Sequence, residues 1–270
     1  MRPEDLKLAV REKYGQIASQ SKLQNEQSCC GATCGCSGTS YTIFSEGYDN
    51  QEGYNPDADL GLGCGIPTQF AAIEEGSYVL DLGSGAGNDC FVARSLVGET
   101  GKVTGIDFTD EMLAKASKNL EKMGFTNVSF VKGDIEDMPL PDSSFDVVLS
   151  NCVLNLVPSK SKAFAEIMRV LKPGGHFCVS DVVTKGELPA ALKKEVEMYA
   201  GCVAGAIDIN SYLEIVEKQG FVSVCLHKQK EVDIPDDLLL HYLSDAELSS
   251  FRESEVGIYS ITLSGYKPLI

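Results

Sequence analysis

The sequence has few histidines, no long apolar run and a shortage of positive charge. Its three histidines, His176, His227 and His241, lie in no recognisable catalytic setting. Eighteen uninterrupted apolar residues occur nowhere, and the N-terminal residues lack the apolar core of a signal peptide, so we expect a cytoplasmic protein with no membrane partner. Lys and Arg number 23 against 39 Asp and Glu, and the formal charge of −16 repels nucleic acid phosphates and anionic lipid. We therefore expect no nucleic acid partner.

The stretch from Tyr78 to Asp89 is a short apolar run that breaks into alternating glycines. An apolar run bounded by glycine predicts a buried strand, and the amphipathic stretch from Cys90 to Val97 predicts a helix after it. Gly83, Gly85 and Gly87 permit the positive φ values of a tight turn and remove the Cβ atoms that would keep a ligand off the backbone. We infer that a ligand binds against this turn.

A second predicted strand, Lys102 to Asp107, ends in an acidic residue 20 positions beyond Gly87. An acidic residue at this place can accept hydrogen bonds from both ribose hydroxyls of a nucleoside ligand. No Gly-Lys-Ser or Gly-Lys-Thr follows the glycines, which argues against a triphosphate. Asp134, which follows the third predicted strand, is interpreted either as a partner of an adenine amino group or as a helix cap.

Strands and helices alternate along the middle of the chain, which predicts an α/β fold with a doubly wound, mainly parallel sheet. An N-terminal extension with a helix and a cysteine-rich segment precedes the sheet, and a smaller C-terminal α+β part follows it. In the C-terminal part, the pattern of Ser211 to Glu214 predicts a capping box. Antiparallel strands are predicted for Phe221 to Leu226 and for Ile258 to Leu263. Residues 227–256 have too little pattern to assign. The predicted regions are 1–60, 61–185 and 186–270.

Structural disulfides do not explain the ten cysteines, because disulfides do not persist in a reducing cytoplasm and a chain of this length does not need them for stability. Cys90, Cys178 and Cys225 lie in apolar helix or strand patterns, where cysteine acts as a small hydrophobe. The others lie in loops or at the ends of elements: Cys29, Cys30, Cys34, Cys36, Cys64, Cys152 and Cys202. The spacing from Cys29 to Cys36 lacks two zinc-type pairs, and so favours a redox or soft-metal segment over a zinc knuckle.

Several motifs carry a resemblance to one class of enzyme. The glycine turn, Asp107, Gly133-Asp134-Ile135 and Leu171-Lys172-Pro173-Gly174-Gly175 together resemble the Rossmann-like, S-adenosylmethionine-dependent methyltransferases. The closer resemblance is to the arsenite methyltransferase family. It is carried by Leu62-Gly63-Cys64-Gly65, Thr109-Asp110-Glu111-Met112-Leu113, Asn151-Cys152-Val153-Leu154-Asn155-Leu156 and Gly201-Cys202-Val203-Ala204-Gly205-Ala206.

The resemblance implies S-adenosylmethionine as cofactor, and arsenite and methylarsenite as substrates. Arsenic(III) is a soft centre that selects thiolates, and Cys64, Cys152 and Cys202 would hold it. Its lone pair is already a nucleophile, so methyl transfer needs alignment but no general base, which fits the scarcity of histidine. The cofactor contacts that the resemblance implies are Asp81, Gly83, Ser84, Gly85, Gly87, Asn88, Asp107, Phe108, Met112, Asp134, Ile135 and Asn151.

The resemblance also implies a fourth thiol, Cys29 or Cys30. This thiol would pair with Cys64 in a transient disulfide when oxidised arsenic is reduced. A thiol reductant, thioredoxin or glutathione-like, would then restore both thiols.

Two other functions fit parts of the pattern. A methyltransferase acting on an organic small molecule, such as a quinone precursor, shares the glycine turn and Asp107 but gives no reason for thiols at three rim positions. A thiol-rich metalloid-binding or redox-sensing protein would need no catalysis. A nucleic acid methyltransferase is disfavoured by the charge and by Asn151-Cys152-Val153-Leu154, where base-amino enzymes carry Asn/Asp-Pro-Pro-aromatic.

Overall fold

The computed structural model describes residues 2–20, 47–186, 205–232, 236–254 and 256–270, and a seven-stranded sheet forms its centre. The strands are β1 (Tyr78–Leu82), β2 (Lys102–Asp107), β3 (Val128–Lys132), β4 (Phe145–Asn151), β5 (Leu171–Lys185), β6 (Val222–Glu231) and β7 (Gly257–Tyr266). Their order across the sheet is β3-β2-β1-β4-β5-β7-β6. Strands β1 to β5 pair in parallel, whereas β7 runs antiparallel to both neighbours. The predicted α/β fold is confirmed.

Seven helices are found among the described residues. They are α1 (Pro3–Ala18), α2 (Asn88–Val97), α3 (Asp110–Met123), α4 (Lys160–Val170), α5 (Ile209–Lys218), α6 (Asp236–Leu239) and α7 (Asp245–Glu253). Short 3-10 turns occupy Pro67–Gln69 and Leu154–Leu156. Gly124 ends α3 with a φ of +70°, a left-handed conformation that suits glycine at the end of a helix.

The core lies on both faces of the parallel strands, as expected for a sheet that is covered by helices on each side. Leu80 and Leu82 of β1 pack in one buried cluster with Phe164 of α4. Val79, whose side chain points to the opposite face, packs in a second cluster with Phe91 of α2. Successive side chains of a strand point to opposite faces, so the apolar residues of β1 contribute to both clusters.

The C-terminal part differs from the sequence prediction in three places. α5 begins at Ile209, and Asp208 rather than Ser211 accepts the capping hydrogen bond, from the N–H of Asn210. The true capping box joins Ser244 and Glu247 at the start of α7, inside the segment that had no assignment. Cys225 is exposed on the edge strand β6, so its interpretation as a buried small hydrophobe is wrong.

β6 and β7 extend the same sheet as the parallel strands and confirm the predicted antiparallel pair, with longer bounds. β6 continues to Glu231, because it pairs with β7 as far as Tyr259. Across the described ranges, none of the helices is long and apolar enough to cross a membrane.

Candidate active site

A cleft opens at the carboxyl ends of β1, β2 and β4, where the strand order reverses between β1 and β4. Ligands of doubly wound sheets bind at such a switch point. The loops that follow these strands supply much of the lining. Other parts come from α1 through Lys7, Val10 and Tyr14, from the segment between Tyr48 and Gly63, and from the loop after β3. The cleft is therefore the candidate active site.

The glycine turn after β1 forms the floor of the cleft. Gly83 has a φ of +62°, and a Cβ there would lie 2.5 Å from a methyl carbon of Val153. Gly85 has a φ of +52°, and the nearest atom to a Cβ there would be the Met112 sulfur, 3.9 Å away. Gly83 thus lets the turn pack against the loop after β4, whereas Gly85 leaves open space for a ligand above its backbone.

Asp107, at the end of β2, is buried beside this turn. Its Oδ2 accepts the N–H of Gly85 at 3.0 Å, and its Oδ1 accepts the N–H of Thr109 at 2.8 Å. Burial raises the pKa of Asp107, and these backbone hydrogen bonds oppose the rise. Each carboxylate oxygen retains a further acceptor site, so Asp107 can also accept two ligand hydroxyls.

Most of the predicted cofactor contacts come together in the cleft. Those that line it are Asp81, Gly83, Ser84, Gly85, Asn88, Asp107, Phe108, Met112, Asp134, Ile135 and Asn151. Gly87 does not line it. A Cβ at Gly87 would lie 2.9 Å from the ring of Phe130. Gly87 has a φ of +96° at the residue before α2, so it is needed for the conformation of the turn and not for contact with a ligand.

Two buried polar atoms in this lining fit a polar ligand. Ser84 Oγ and Asn88 Oδ1 have no hydrogen-bond partner within the described part of the chain. Buried polar groups are normally paired, so these atoms are suited to a bound nucleoside or amino acid group. Phe108 and Ile135 add apolar surface for a flat ring. The residues therefore fit S-adenosylmethionine.

Asp134 does not cap a helix, so that alternative is wrong. Its Oδ1 accepts the N–H of Glu136 in a local turn, and its Oδ2 forms an ion pair with Lys7 of α1. Lys7 also pairs with Glu136. The sequence analysis did not identify this contact, because no sequence pattern links Lys7 to a loop 127 residues away.

Carboxylates dominate the charge of the cleft, since Asp59, Asp81, Asp89, Asp107 and Asp134 all line it. Burial raises the pKa of Asp81 well above its usual range, and the neighbouring Asp89 raises it further. Burial likewise raises the pKa of Asp89 to about 6, against the hydrogen bonds that Tyr48 and Asn151 donate. An acidic cleft favours a cationic ligand such as a sulfonium and disfavours a phosphate.

Cys64 and Cys152 pack in one buried cluster; Cys152 lines the cleft, and Cys64 follows Gly63, which also lines it. Cys152 follows β4 directly with a φ of +60°, and its N–H donates to the carbonyl oxygen of Ser180 at 2.8 Å. The N–H of Cys64 donates to Asn151 Oδ1 at 3.1 Å, and the carbonyl oxygen of Cys64 accepts the Ser260 hydroxyl. Two thiols predicted from separate motifs therefore share one site.

The remaining predicted thiols, Cys29, Cys30 and Cys202, lie outside the described residues. Ala206, four positions after Cys202, is buried in the same cluster as Cys64 and Cys152. Cys90 and Cys178 are buried in the fold, as predicted: the Cys90 thiol donates to Asp81 at 3.2 Å and the Cys178 thiol to the Pro67 carbonyl at 3.3 Å.

The sequence matches those of known methyltransferases. Residues 73–220 match a family described as a methyltransferase domain. Arsenite methyltransferase from Halobacterium salinarum is 38% identical over 281 residues, covering 98% of this chain and 68% of the relative. The human arsenite methyltransferase is 34% identical over 275 residues, covering 95% and 70%. The chain belongs to the arsenite methyltransferase family.

A solved structure extends the match to an arsenite methyltransferase fold. The arsenic(III) S-adenosylmethionine methyltransferase from Chlamydomonas reinhardtii matches with a TM-score of 0.65 and 38% identity, covering 76% of this chain and 68% of that one. The chain thus spans about two thirds of the length of these arsenite methyltransferases. The family resemblance read from the cysteine motifs is confirmed.

Proposed function

We propose that this protein transfers methyl groups from S-adenosylmethionine to thiolate-bound arsenic(III). The observation that carries the proposal is the position of Cys152, which lines the cleft that also contains the glycine turn and Asp107, together with Cys64, which is buried in the same cluster as Cys152. An enzyme for an organic substrate would have no need of two thiols in one cluster beside the cleft.

The residues of the cleft would hold different parts of the cofactor. Asp107 would accept the ribose hydroxyls, and the space above Gly85 would admit the chain attached to the ribose. Asp134 and Ile135 would contact the adenine, and Asn88 would offer an acceptor to a ligand amino group. When bound, S-adenosylmethionine supplies an electrophilic methyl group on a positively charged sulfur, which the acidic cleft favours over a neutral or anionic ligand.

Cys64, Cys152 and Cys202 bind the substrate as thiolates. Each thiol replaces one hydroxyl of arsenite, and the thiol proton leaves with that hydroxyl as water, so binding needs no separate base. Arsenic then has three sulfur ligands and a lone pair in the remaining position, and this lone pair attacks the methyl group. Histidine is absent from the described residues that line the cleft, which agrees with a transfer that needs alignment rather than proton abstraction.

Methyl transfer oxidises arsenic by two electrons, and a thiol pair returns them. In our proposal Cys64 and either Cys29 or Cys30 supply the electrons and form a disulfide, which releases trivalent methylarsenite for a further round. A thiol reductant of the thioredoxin or glutathione type then reduces the disulfide. This cycle requires a reducing compartment, so we propose that the protein acts in the cytoplasm, with residues 186–270 completing the arsenic site.

The test is an assay of arsenic species after incubation of reduced protein with S-adenosylmethionine, arsenite and a thiol reductant. We expect methylated arsenicals from the wild-type protein, and a loss of at least about a hundredfold in product with Cys152→Ser or Cys202→Ser, because a two-thiolate site cannot hold the full ligand set.

The matched control is Cys225→Ser, an exposed thiol on the edge strand away from the cleft, which should retain wild-type product. Wild-type protein that binds arsenite but releases no S-adenosylhomocysteine would favour a metalloid-binding protein. Full activity of Cys152→Ser would overturn the thiolate mechanism.

A further inference from the structure

The side chain of Asn151 lies between the two loops that carry Cys64 and Cys152. Asn151 is the residue before Cys152, so its backbone is continuous with that thiol. Its Oδ1 accepts the N–H of Cys64 at 3.1 Å, and its Nδ2 lies 2.9 Å from the carbonyl oxygen of Gly65. The Asn151 amide therefore hydrogen-bonds to the backbone at Cys64 and at Gly65, as the backbone of a neighbouring strand would.

Tyr48 and Asp89 fix the orientation of this amide. Asn151 Nδ2 lies 2.6 Å from the Tyr48 hydroxyl and 3.1 Å from Asp89 Oδ2, and the Tyr48 hydroxyl lies 2.7 Å from Asp89 Oδ1. The two amide hydrogens thus have three acceptors within reach. A flipped amide would point its oxygen at the Asp89 carboxylate and its NH2 at the Cys64 N–H, so the network permits one orientation.

The glycines beside Cys64 allow this close approach. A Cβ on Gly63 would lie 2.8 Å from Asn151 Nδ2, and a Cβ on Gly65 would lie 2.5 Å from Ser180 Oγ. The carbonyl of that same Ser180 holds the N–H of Cys152. Cys64 and Cys152 are therefore both fixed to the end of β4 and the adjoining part of β5, and the side chain of Asn151 is the link between their loops.

We propose that Asn151, oriented by Asp89 and Tyr48, is a positioning residue that sets the Cys64 thiol against the Cys152 thiol for arsenic(III). The inference rests on the proposed function and assigns to Asn151 a role separate from cofactor contact. A metalloid held by several thiolates gains affinity when the thiols are already in place, because less freedom is lost on binding. Asp89 and Tyr48 lie on the side of the Asn151 amide that faces the cofactor cleft. The thiols that they help to position lie on the side where arsenic would bind.

Tyr48→Phe tests the link with the smallest change, since it removes one hydroxyl from the network. We expect the KM for arsenite to rise about tenfold, equivalent to ~1.4 kcal/mol, while the dissociation constant for S-adenosylhomocysteine changes by less than about twofold. Tyr54→Phe is the matched control: it keeps the aromatic ring that stacks on Tyr48 and removes only a hydroxyl that donates to Asp59 at 3.0 Å, so it should leave the KM for arsenite unchanged.

Asn151→Asp is the second variant, because it keeps the shape of the side chain but replaces the amide donors with a carboxylate facing Asp89. We expect a larger loss of arsenite binding than in Tyr48→Phe, measured without cofactor by the ultraviolet absorption of arsenic–thiolate bonds. Thermal unfolding of each variant identifies a misfolded protein, and the conclusion then rests on Tyr48→Phe alone.

The outcomes separate the two proposals. Failure of the wild-type protein to methylate arsenite would overturn the proposed function. Methylation by the wild type together with an unchanged KM for arsenite in Tyr48→Phe would leave that function standing and overturn the positioning role. A parallel loss of affinity for arsenite and S-adenosylhomocysteine would overturn it as well, because the network would then support the whole cleft.

Discussion

At the scale of the residue, the same side chain has three different environments in this protein. Cys152 lies at the cleft with Cys64 in the same buried cluster, Cys90 and Cys178 lie in the core, and Cys225 lies at an exposed edge. Burial raises the pKa of the Cys178 thiol to about 12, so its thiolate is scarce at neutral pH. Reactivity of cysteine follows the thiolate and its access, so these groups should differ chemically.

Alkylation of the native protein by iodoacetamide at pH 8 should display this difference. We expect Cys225 to be modified first and Cys90 and Cys178 to resist until the protein is unfolded, because the thiolate fraction of Cys178 is about one in ten thousand at that pH. Peptide mass spectrometry at timed intervals gives the order. Early modification of Cys178 in folded protein would contradict the burial described for it.

At the scale of the element, the first residue of α4 joins segments that are distant in sequence. The buried Lys160 donates to the carbonyl oxygen of Gly205 at 2.9 Å and to that of Asn155 at 3.4 Å. Burial raises the pKa of Asp181, which accepts the Tyr212 hydroxyl, and the charge of Lys160 opposes this rise. A single cation therefore holds together the loop after Cys152, the chain that follows Cys202 and α5.

Lys160→Met should lower the free energy of unfolding by about 2–4 kcal/mol, because it leaves the Asp181 charge without a nearby cation and two carbonyls without a donor. Urea unfolding measures the change. Lys162→Met, an exposed position on the same helix, is the matched control and should stay within about 0.5 kcal/mol of wild type. Equal effects of the two substitutions would show that Lys160 contributes no more than a surface lysine.

At the scale of the whole molecule, the sequence predicted the parallel sheet and most of the cofactor cleft, because these depend on local patterns. The apolar run of β1, the glycines after it and Asp107 are each legible within a few residues. The network of Tyr48, Asp89 and Asn151 could not be predicted, since its members are up to 103 residues apart and show no common spacing. The exposure of Cys225 depends on strand order, which alternation does not encode.

The stability of the molecule should depend on pH through Asp181, whose pKa burial raises to about 6 from an unfolded value of about 3.9. Between these values the folded state keeps a proton that the unfolded state loses, so the free energy of unfolding falls as pH rises. Wild type should lose about 2 kcal/mol relative to Asp181→Asn between pH 4 and 6, because the slope approaches about 1.4 kcal/mol per pH unit only midway between the two pKa values. Urea unfolding at several pH values checks this, and a constant difference would contradict the raised pKa.

β7 lies between β5 and β6 although it follows both of them in the sequence. During synthesis the edges of β5 and β6 that pair with β7 therefore remain open until residues 257–266 leave the ribosome. Open strand edges can pair with other chains. The hydroxyl that holds the Cys64 carbonyl, Ser260, arrives with that strand. Assembly of the proposed metalloid site thus depends on β7, and a chain truncated before residue 257 would carry Cys64 and Cys152 without their arrangement.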